Sequence, residues 1–281
     1  MTVQVVTDSG SDIPKQLADE LGIIVVPLTV SFGEESFLDG VELSSDQFYD
    51  RLLRSPMMPT TSQPSVGRFV EVYKQASESA DQILSIHLSS KLSGTLNSAT
   101  QAANQEAFGG KIQLLDTWQA SMGLGFSVIA AAEAVRDGAS IDEAAAAAIS
   151  VLERTHVFIL FDTLKYLEKG GRIGKANALL GTVLQIKPIL TLEDGEITTK
   201  LKTRTFRKGV QNLQQLTEDC GKLERAAILY TTDSSEATLL AGRLDNALVE
   251  GASPSIVRIS PAVGTHGGPG LVGVVCVTAA G

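Results

Sequence analysis

Two short stretches concentrate hydroxyl groups where backbone geometry would aim them at one volume. They are Thr60-Thr61-Ser62-Gln63-Pro64-Ser65 and Ser89-Ser90-Lys91-Leu92-Ser93-Gly94-Thr95. Each precedes a segment with helical apolar spacing, Val66 to Ala76 and Leu96 to Ala107. The second also follows an apolar run, Ile83 to Leu88, that reads as a buried strand. A strand-loop-helix corner points N–H groups and the positive end of a helix dipole into one small space. Two such corners predict a pocket that holds an anion with neutral donors, and the reading favoured here is a carboxylate. A carboxylate leaves water only at high cost unless its lone pairs find donors, and hydroxyls supply them without forming an ion pair.

Ser93 and His266 raise a second chemistry, that of a serine esterase or lipase. Ser93 lacks the GxSxG setting, because Lys91 holds the first glycine position. His266-Gly267-Gly268 looks like an esterase oxyanion loop but follows the serine in the chain. Gly268-Pro269-Gly270-Leu271-Val272-Gly273 matches GxGxxG, yet it runs into a strand and is read as a turn. Gly170 to Lys175 resembles a P-loop, but Lys169 and Ala176 occupy positions that a phosphate loop reserves for glycine and for Ser or Thr, so no ATP site is expected. Asp8 lacks the second acid of an aspartyl phosphatase, since Gly10 stands there, and is read as capping or bracing a loop. His87 and His156 lie in apolar strands and read as core residues, and the three histidines lack metal-ligand spacing. Arg172 and Arg204, the latter among Lys200, Lys202, Arg207 and Lys208, form the dense basic clusters. They are either a solvated face or a docking surface for a phosphate or an acidic partner, which arginine's fork suits.

The elements that must carry these residues follow a βαβ opening. Val3 to Val6 reads as a strand, a helix with Pro14 in its first turn and Ser11 or Asp12 as cap ends at Gly22, and Ile23 to Thr29 reads as one strand. Ser44-Ser45-Asp46-Gln47 and Ser140-Ile141-Asp142-Glu143 are capping boxes. Lys111 to Leu115 is a strand, and an Ala-rich helix spans about Met122 to Arg136. From Thr155 the texture changes. Val157 to Phe161 is a strand, Asn177 to Leu184 a leucine-rich helical piece, and Ile186 to Leu192 with Ile197 to Lys202 a hairpin about Glu193-Asp194-Gly195-Glu196. Helices over Phe206 to Cys220 and Ser235 to Glu250 alternate with strands at Ala226 to Tyr230, Ser255 to Ile259 and Leu271 to Val277. A parallel-sheet α/β domain over 1–155 and a mixed α/β domain over 156–281 are expected, with the chain able to cross between them.

Composition narrows the partners. The 281-residue chain carries a formal net charge of −9 and only 5% aromatics, so its core is aliphatic and a nucleic acid or anionic membrane is not its main partner. No run approaches the roughly 18 apolar residues of a membrane span, and the start lacks the basic and apolar pattern of a signal peptide. Cys220 and Cys276 lie far apart in sequence without a CxxC, which fits a reducing cytoplasm and neither a structural disulfide nor zinc.

The sequence resembles the DegV family, fatty-acid-binding subunits of bacterial fatty acid kinase. The resemblance rests on Val5-Val6-Thr7-Asp8-Ser9, Pro59 to Ser65, Ser89 to Thr95, Leu167-Glu168-Lys169-Gly170-Gly171-Arg172-Ile173, Lys202-Thr203-Arg204 and His266 to Gly270, spread in the family's order over nearly the whole chain. It implies a two-domain DegV-like α/β fold and one long-chain fatty acid in an apolar tunnel. Thr61 and Ser93 would bond the carboxylate, His266 would complete the network, and Ser62 would be a neighbour. Arg172 and Arg204 would face a separate kinase subunit that supplies ATP and makes acyl-phosphate. By the same resemblance the chain is a lipid-binding subunit rather than an enzyme on its own, with no metal or cofactor. Ile173, Leu180, Leu184 and Ile186 are candidates for the tunnel wall and equally good core residues.

Overall fold

Short runs rich in Val and Ile, which pack well on a pleated surface, build the first sheet. The computed structural model describes residues 1–180 and 186–280. Strands β1 (Val3–Asp8) and β2 (Ile24–Val26) flank helix α1 (Lys15–Glu20). There follow β3 (Thr29–Phe32), β4 (Glu35–Leu38), α2 (Ser45–Arg54), β5 (Thr60–Ser62), α3 (Val66–Ala76), β6 (Gln82–His87), α4 (Thr95–Ala103) and β7 (Ile112–Asp116). The order β2-β1-β6-β7 is parallel throughout.

Four local expectations are corrected here. The single strand over Ile23 to Thr29 is two, because Pro27 has no N–H to continue the ladder. The chain leaves the first sheet at Val26 and enters an antiparallel sheet of order β4-β3-β5 at Thr29. Thr60–Ser62, read as loop, is the edge strand β5, its Thr61 opposite Val30. Pro14 is the N-cap of α1 rather than part of its first turn, and neither Ser11 nor Asp12 caps that helix. Asp8 instead caps a 3-10 turn over Ser9–Ser11 by accepting from the Gly10 N–H. Its other oxygen meets His87 Nδ1 at 2.8 Å, and His87 Nε2 meets Ser85 Oγ at 2.8 Å. Asp8, Ser85 and His87 are fully buried, so this chain braces the core. His156, by contrast, is half-exposed and stacks on Phe158, which corrects the core reading for that residue.

Helices α5 (Met122–Arg136) and α6 (Ile141–Glu153) lead into β8 (Thr155–Leu160), α7 (Lys165–Lys169), β9 (Lys187–Glu193), β10 (Glu196–Thr203), α8 (Phe206–Glu218), β11 (Leu223–Tyr230), α9 (Ser235–Leu244), β12 (Ser255–Arg258), α10 (Pro261–Gly267) and β13 (Val272–Thr278). The second sheet runs β10-β9-β8-β13-β11-β12, antiparallel except for the β11–β12 edge. Its strands are apolar on both faces, as a sheet covered on both sides must be. Phe158, Leu160, Ile228 and Val274 pack towards α8 and α9, whereas Val157, Leu229, Val275 and Val277 pack on the other side with Met122, Phe126 and Ile129 of α5. The opposite side of α5, with Leu124, Val128 and Ala131, packs against the first sheet. A helix apolar all round is buried all round, and α5 lies between the two sheets.

The hairpin turn between β9 and β10 places Asp194 and Gly195 at φ 52° and 78°, as a tight two-residue hairpin requires. Gly195 docks on the first domain. Its carbonyl accepts from Ser89 Oγ at 2.8 Å, and a Cβ there would meet Ser89 Oγ at 2.7 Å and Trp118 Cγ at 3.3 Å. The helical piece at Asn177 is a 3-10 turn over Gly174–Leu179, and the remainder of the expected segment lies beyond Leu180, outside the described residues. Helix α10 lies in a stretch read only as connection and turn, although Ser260-Pro261 is the N-cap and N1 signature of a helix start. Cys220 and Cys276, distant in sequence, are neighbours in the core beneath α8, and both thiols are free. Among the described residues no helix is long and apolar enough to cross a membrane.

Candidate functional site

Between the sheets lies a cavity with about 960 Å³ of empty space, counting space open to solvent. Its wall is mostly aliphatic, with Val157 and Ile159 of β8, Leu190 of β9 and Leu229 of β11 along it. Thr61, Ser93, Arg172 and His266 also line it, brought from β5, the loop before α4, the loop after α7 and the end of α10. Four separate parts of the chain therefore converge on one apolar chamber. The two hydroxyl-rich stretches touch beside it, where the Gln63 amide packs over Gly94.

Thr61 Oγ1 and His266 Nε2 are 2.8 Å apart. His266 Nδ1 is buried with no hydrogen-bond partner, and the ring lies so close to Gly170 that a Cβ there would be 2.3 Å from Nδ1. Burial, with the Arg172 guanidinium nearby, pushes the imidazole pKa down to about 4, so the ring is neutral at pH 7. A neutral imidazole protonates one nitrogen. An unpartnered acceptor costs less than an unpartnered N–H, so the proton belongs on Nε2, donated to Thr61 Oγ1. Thr61 then has its own O–H to donate. Ser93 is in a parallel situation. Its oxygen accepts from the Thr95 N–H at 3.3 Å and sits 2.9 Å from Thr95 Oγ1, so with the Thr95 hydroxyl donating, the Ser93 O–H is also left for a guest. Arg172 donates to the Leu92 carbonyl at 3.1 Å and to the Gly170 carbonyl at 2.7 Å, tying the Ser93 loop to the α7 loop.

The hydrogen bonds of Ser93 and His266 go to Thr95 and Thr61, not to each other, so the serine–imidazole contact of a hydrolase is not made. The family model described as "Uncharacterised protein, DegV family" matches residues 2–279. The chain belongs to the DegV family. It is 38% identical to a DegV domain-containing protein of Streptomyces coelicolor over 277 residues, 97% of each chain. Among solved structures, it superposes with a TM-score of 0.91 and 34% identity on a DegV family protein from Thermus thermophilus whose structure describes fatty acid binding, covering 99% of this chain and 100% of that one. A stearic-acid-binding protein from Eubacterium ventriosum is 25% identical with a TM-score of 0.89, covering 99% and 98%.

In this DegV family member the residues expected at the head group divide. Thr61, Ser93 and His266 share the cavity, whereas Ser62, the next residue along β5, is exposed and absent from the lining. Strand alternation explains this, since neighbours on a strand face opposite ways. The two arginines also separate. Arg172 is half-buried on the cavity, while Arg204 is exposed in the turn before α8 with Lys200, Lys202, Arg207 and Lys208 also exposed. Of the wall candidates, Ile173, Leu180 and Ile186 belong to the adjoining apolar core rather than the lining, and Leu184 lies outside the described residues. The lining residues missed by sequence reasoning, such as Ile159 and Leu190, sit in apolar runs that read equally as core.

Proposed function

We propose that this protein binds one long-chain fatty acid, its alkyl chain in the aliphatic cavity and its carboxylate accepting from the Thr61 and Ser93 hydroxyls. The carrying observation is the convergence of Thr61, Ser93 and His266 on a mostly aliphatic chamber. The fatty-acid-binding structures to which the chain is similar support the same guest. Burying a tail of about 16 carbons gains on the order of 11 kcal/mol gross, at ~0.8 kcal/mol per CH₂. Immobilising the tail takes back several kcal/mol. The tail thus accounts for affinity, and the head-group hydroxyls for register. His266 acts through Thr61, orienting its hydroxyl as a donor.

Neutral donors leave the carboxylate nucleophilic. On this reading the protein presents its fatty acid to a separate ATP-binding kinase subunit, where a carboxylate oxygen attacks the γ-phosphorus and ADP leaves, giving the acyl-phosphate. The exposed basic face around Arg204 is the docking surface for that subunit, and Arg172 faces the anion or the phosphate being transferred. Mass spectrometry of an organic extract of protein purified without added lipid tests the binding step. A fatty acid released in about one-to-one ratio is expected, and its clean absence, with no uptake of added palmitate, overturns the reading.

A further inference from the structure

Helix α10, which ends on His266, has seven residues, too few to hold itself in place without its ends. Its N-cap residue, Ser260, makes no side-chain cap bond. Instead the Ser260 N–H donates to Asp12 Oδ1 at 2.9 Å, a carboxylate 248 positions away in the first domain. Asp12 Oδ2 accepts from the Ser121 hydroxyl, and Ser121 itself lines the cavity. Asp12 sits at φ 53°, a backbone state that an L residue rarely adopts, immediately after the 3-10 turn that Asp8 caps. Behind it, Asp39 is 2% exposed. It faces the Ser9 hydroxyl and the Ala262 N–H without a close hydrogen bond. The helix is therefore held at both ends by the first domain, by Asp12 at its start and by Thr61 at its finish.

We propose that Asp12, backed by Asp39, is a positioning residue for the head-group site, capping α10 from across the domain junction and so fixing the His266 ring against Thr61. An acidic group at a helix N-terminus satisfies an N–H that would otherwise be orphaned and interacts well with the helix dipole. Asp8 of β1, Asp39 and Tyr49 of α2 are the titratable groups around Asp12, and Arg258 lies over the Tyr49 ring at 5.0 Å. Burial lifts the Asp12 carboxyl to about 6 against the lowering effect of the Ser121 and Ser260 hydrogen bonds. The cap therefore changes charge near neutral pH.

This role rests on the fatty-acid reading for its binding consequence, but the ring itself can be observed without lipid. The test combines palmitate affinity with the ¹⁵N signals of the His266 ring in lipid-free protein. Asp12→Ala is expected to bind palmitate roughly 3- to 30-fold more weakly, the range that follows from losing a helix cap, and to mix the two His266 tautomers. Ser260→Pro serves where Asp12→Ala fails to fold. Ser260 has φ −63°, which proline shares, so the change removes the donated N–H, together with a hydroxyl 3.4 Å from the Ser9 carbonyl, without straining the backbone, and should reproduce the loss. Asp12→Asn retains an acceptor for that N–H and should recover most of the affinity. The ratio of its affinity to that of the native protein should shift as pH falls through about 6. Native palmitate affinity and an unchanged His266 spectrum in both Asp12→Ala and Ser260→Pro would overturn the proposal. If the native protein takes up no palmitate, the fatty-acid reading fails, and the His266 signals still decide whether Asp12 sets the ring.

Discussion

Thr61 and His266, 205 positions apart in the chain, share a 2.8 Å hydrogen bond at the wall of an aliphatic cavity. One belongs to an edge strand of a three-stranded sheet and the other to the last turn of a seven-residue helix. The bond lets a neutral histidine turn a threonine into an oriented donor, and the following outcomes depend on it.

Thr61→Val keeps the volume and strand preference of the side chain while removing its hydroxyl. Fatty-acid affinity, measured by displacement of a fluorescent fatty acid, should fall roughly tenfold or more, as for loss of a hydrogen bond to a charged group. The melting temperature should fall as well, because the buried His266 ring loses the partner of its Nε2–H, a loss of about 1–3 kcal/mol. Unchanged affinity would exclude Thr61 from the head-group site.

Gly170→Ala puts a methyl 2.3 Å from His266 Nδ1 and 2.9 Å from Cε1. The ring must leave Thr61 or the α7 loop must shift. We expect weaker fatty-acid binding together with about 1–3 kcal/mol of lost stability by urea titration, the usual range for overpacking. Native binding and native stability together would show that the ring is not held as described.

The pH dependence of stability has opposed parts. His266 is lowered from 6.5 to about 4 by burial first and Arg172 second, so the stability it contributes is present above 6.5 and is lost as pH falls towards 4. Asp39 is raised from 3.8 to about 7 and Asp12 from 3.8 to about 6, burial being the main cause in both, so their contribution is full below 3.8 and is lost as pH rises through 6 to 7. The half-buried His156 is lowered too, by burial first and Lys200 second, but by less than either carboxyl is raised, so the carboxyls outweigh the imidazoles. The urea midpoint should therefore rise as pH drops from 7 towards 6, and Asp39→Asn should flatten that rise. An unaltered slope in the variant would rule out Asp39 as its source.

Arg204→Ala should retain fatty acid, because Arg204 is exposed and outside the cavity lining. On the proposed reading, acyl-phosphate formation with a separate ATP-binding subunit should drop. Loss of bound fatty acid from this variant would contradict the division of labour between surface and cavity.

Iodoacetamide applied to native protein should modify Cys220 and leave Cys276 intact, as peptide mass mapping can show. Cys276 is fully buried in β13, whereas Cys220 is partly exposed just past α8. Equal labelling would mean that the sheet opens under native conditions.

Much of the fold was legible because period and punctuation agree in it. Capping boxes at Ser44 and Ser140 start the helices they announce, and Asp194-Gly195 makes the hairpin its residues require. Pro27 stands inside the run read as a single strand, Ile23 to Thr29, and its effect of moving the chain from one sheet to another depends on a second sheet that local pattern does not reveal. The hydroxyl-rich stretches around Thr61 and Ser93 stood out as loops ahead of helices, and the resemblance to the DegV family picked out the two residues within them. The cavity wall did not, since Val157 and Leu229 have the same alternation whether they face a neighbour or a chamber. Asp12 was hidden for a different reason. Its partner Ser260 lies in the other domain, and a helix capped in trans leaves no mark at its own start beyond Ser260-Pro261.

Helix α5 has no solvent side to spare over most of its length, since one flank belongs to each sheet. Severing the chain between α6 and β8 would strip that helix of half its packing and leave each fragment sticky. Recombination between relatives is accordingly best tolerated when whole chains are exchanged, and a crossover there succeeds only where the incoming half brings a matching flank for α5.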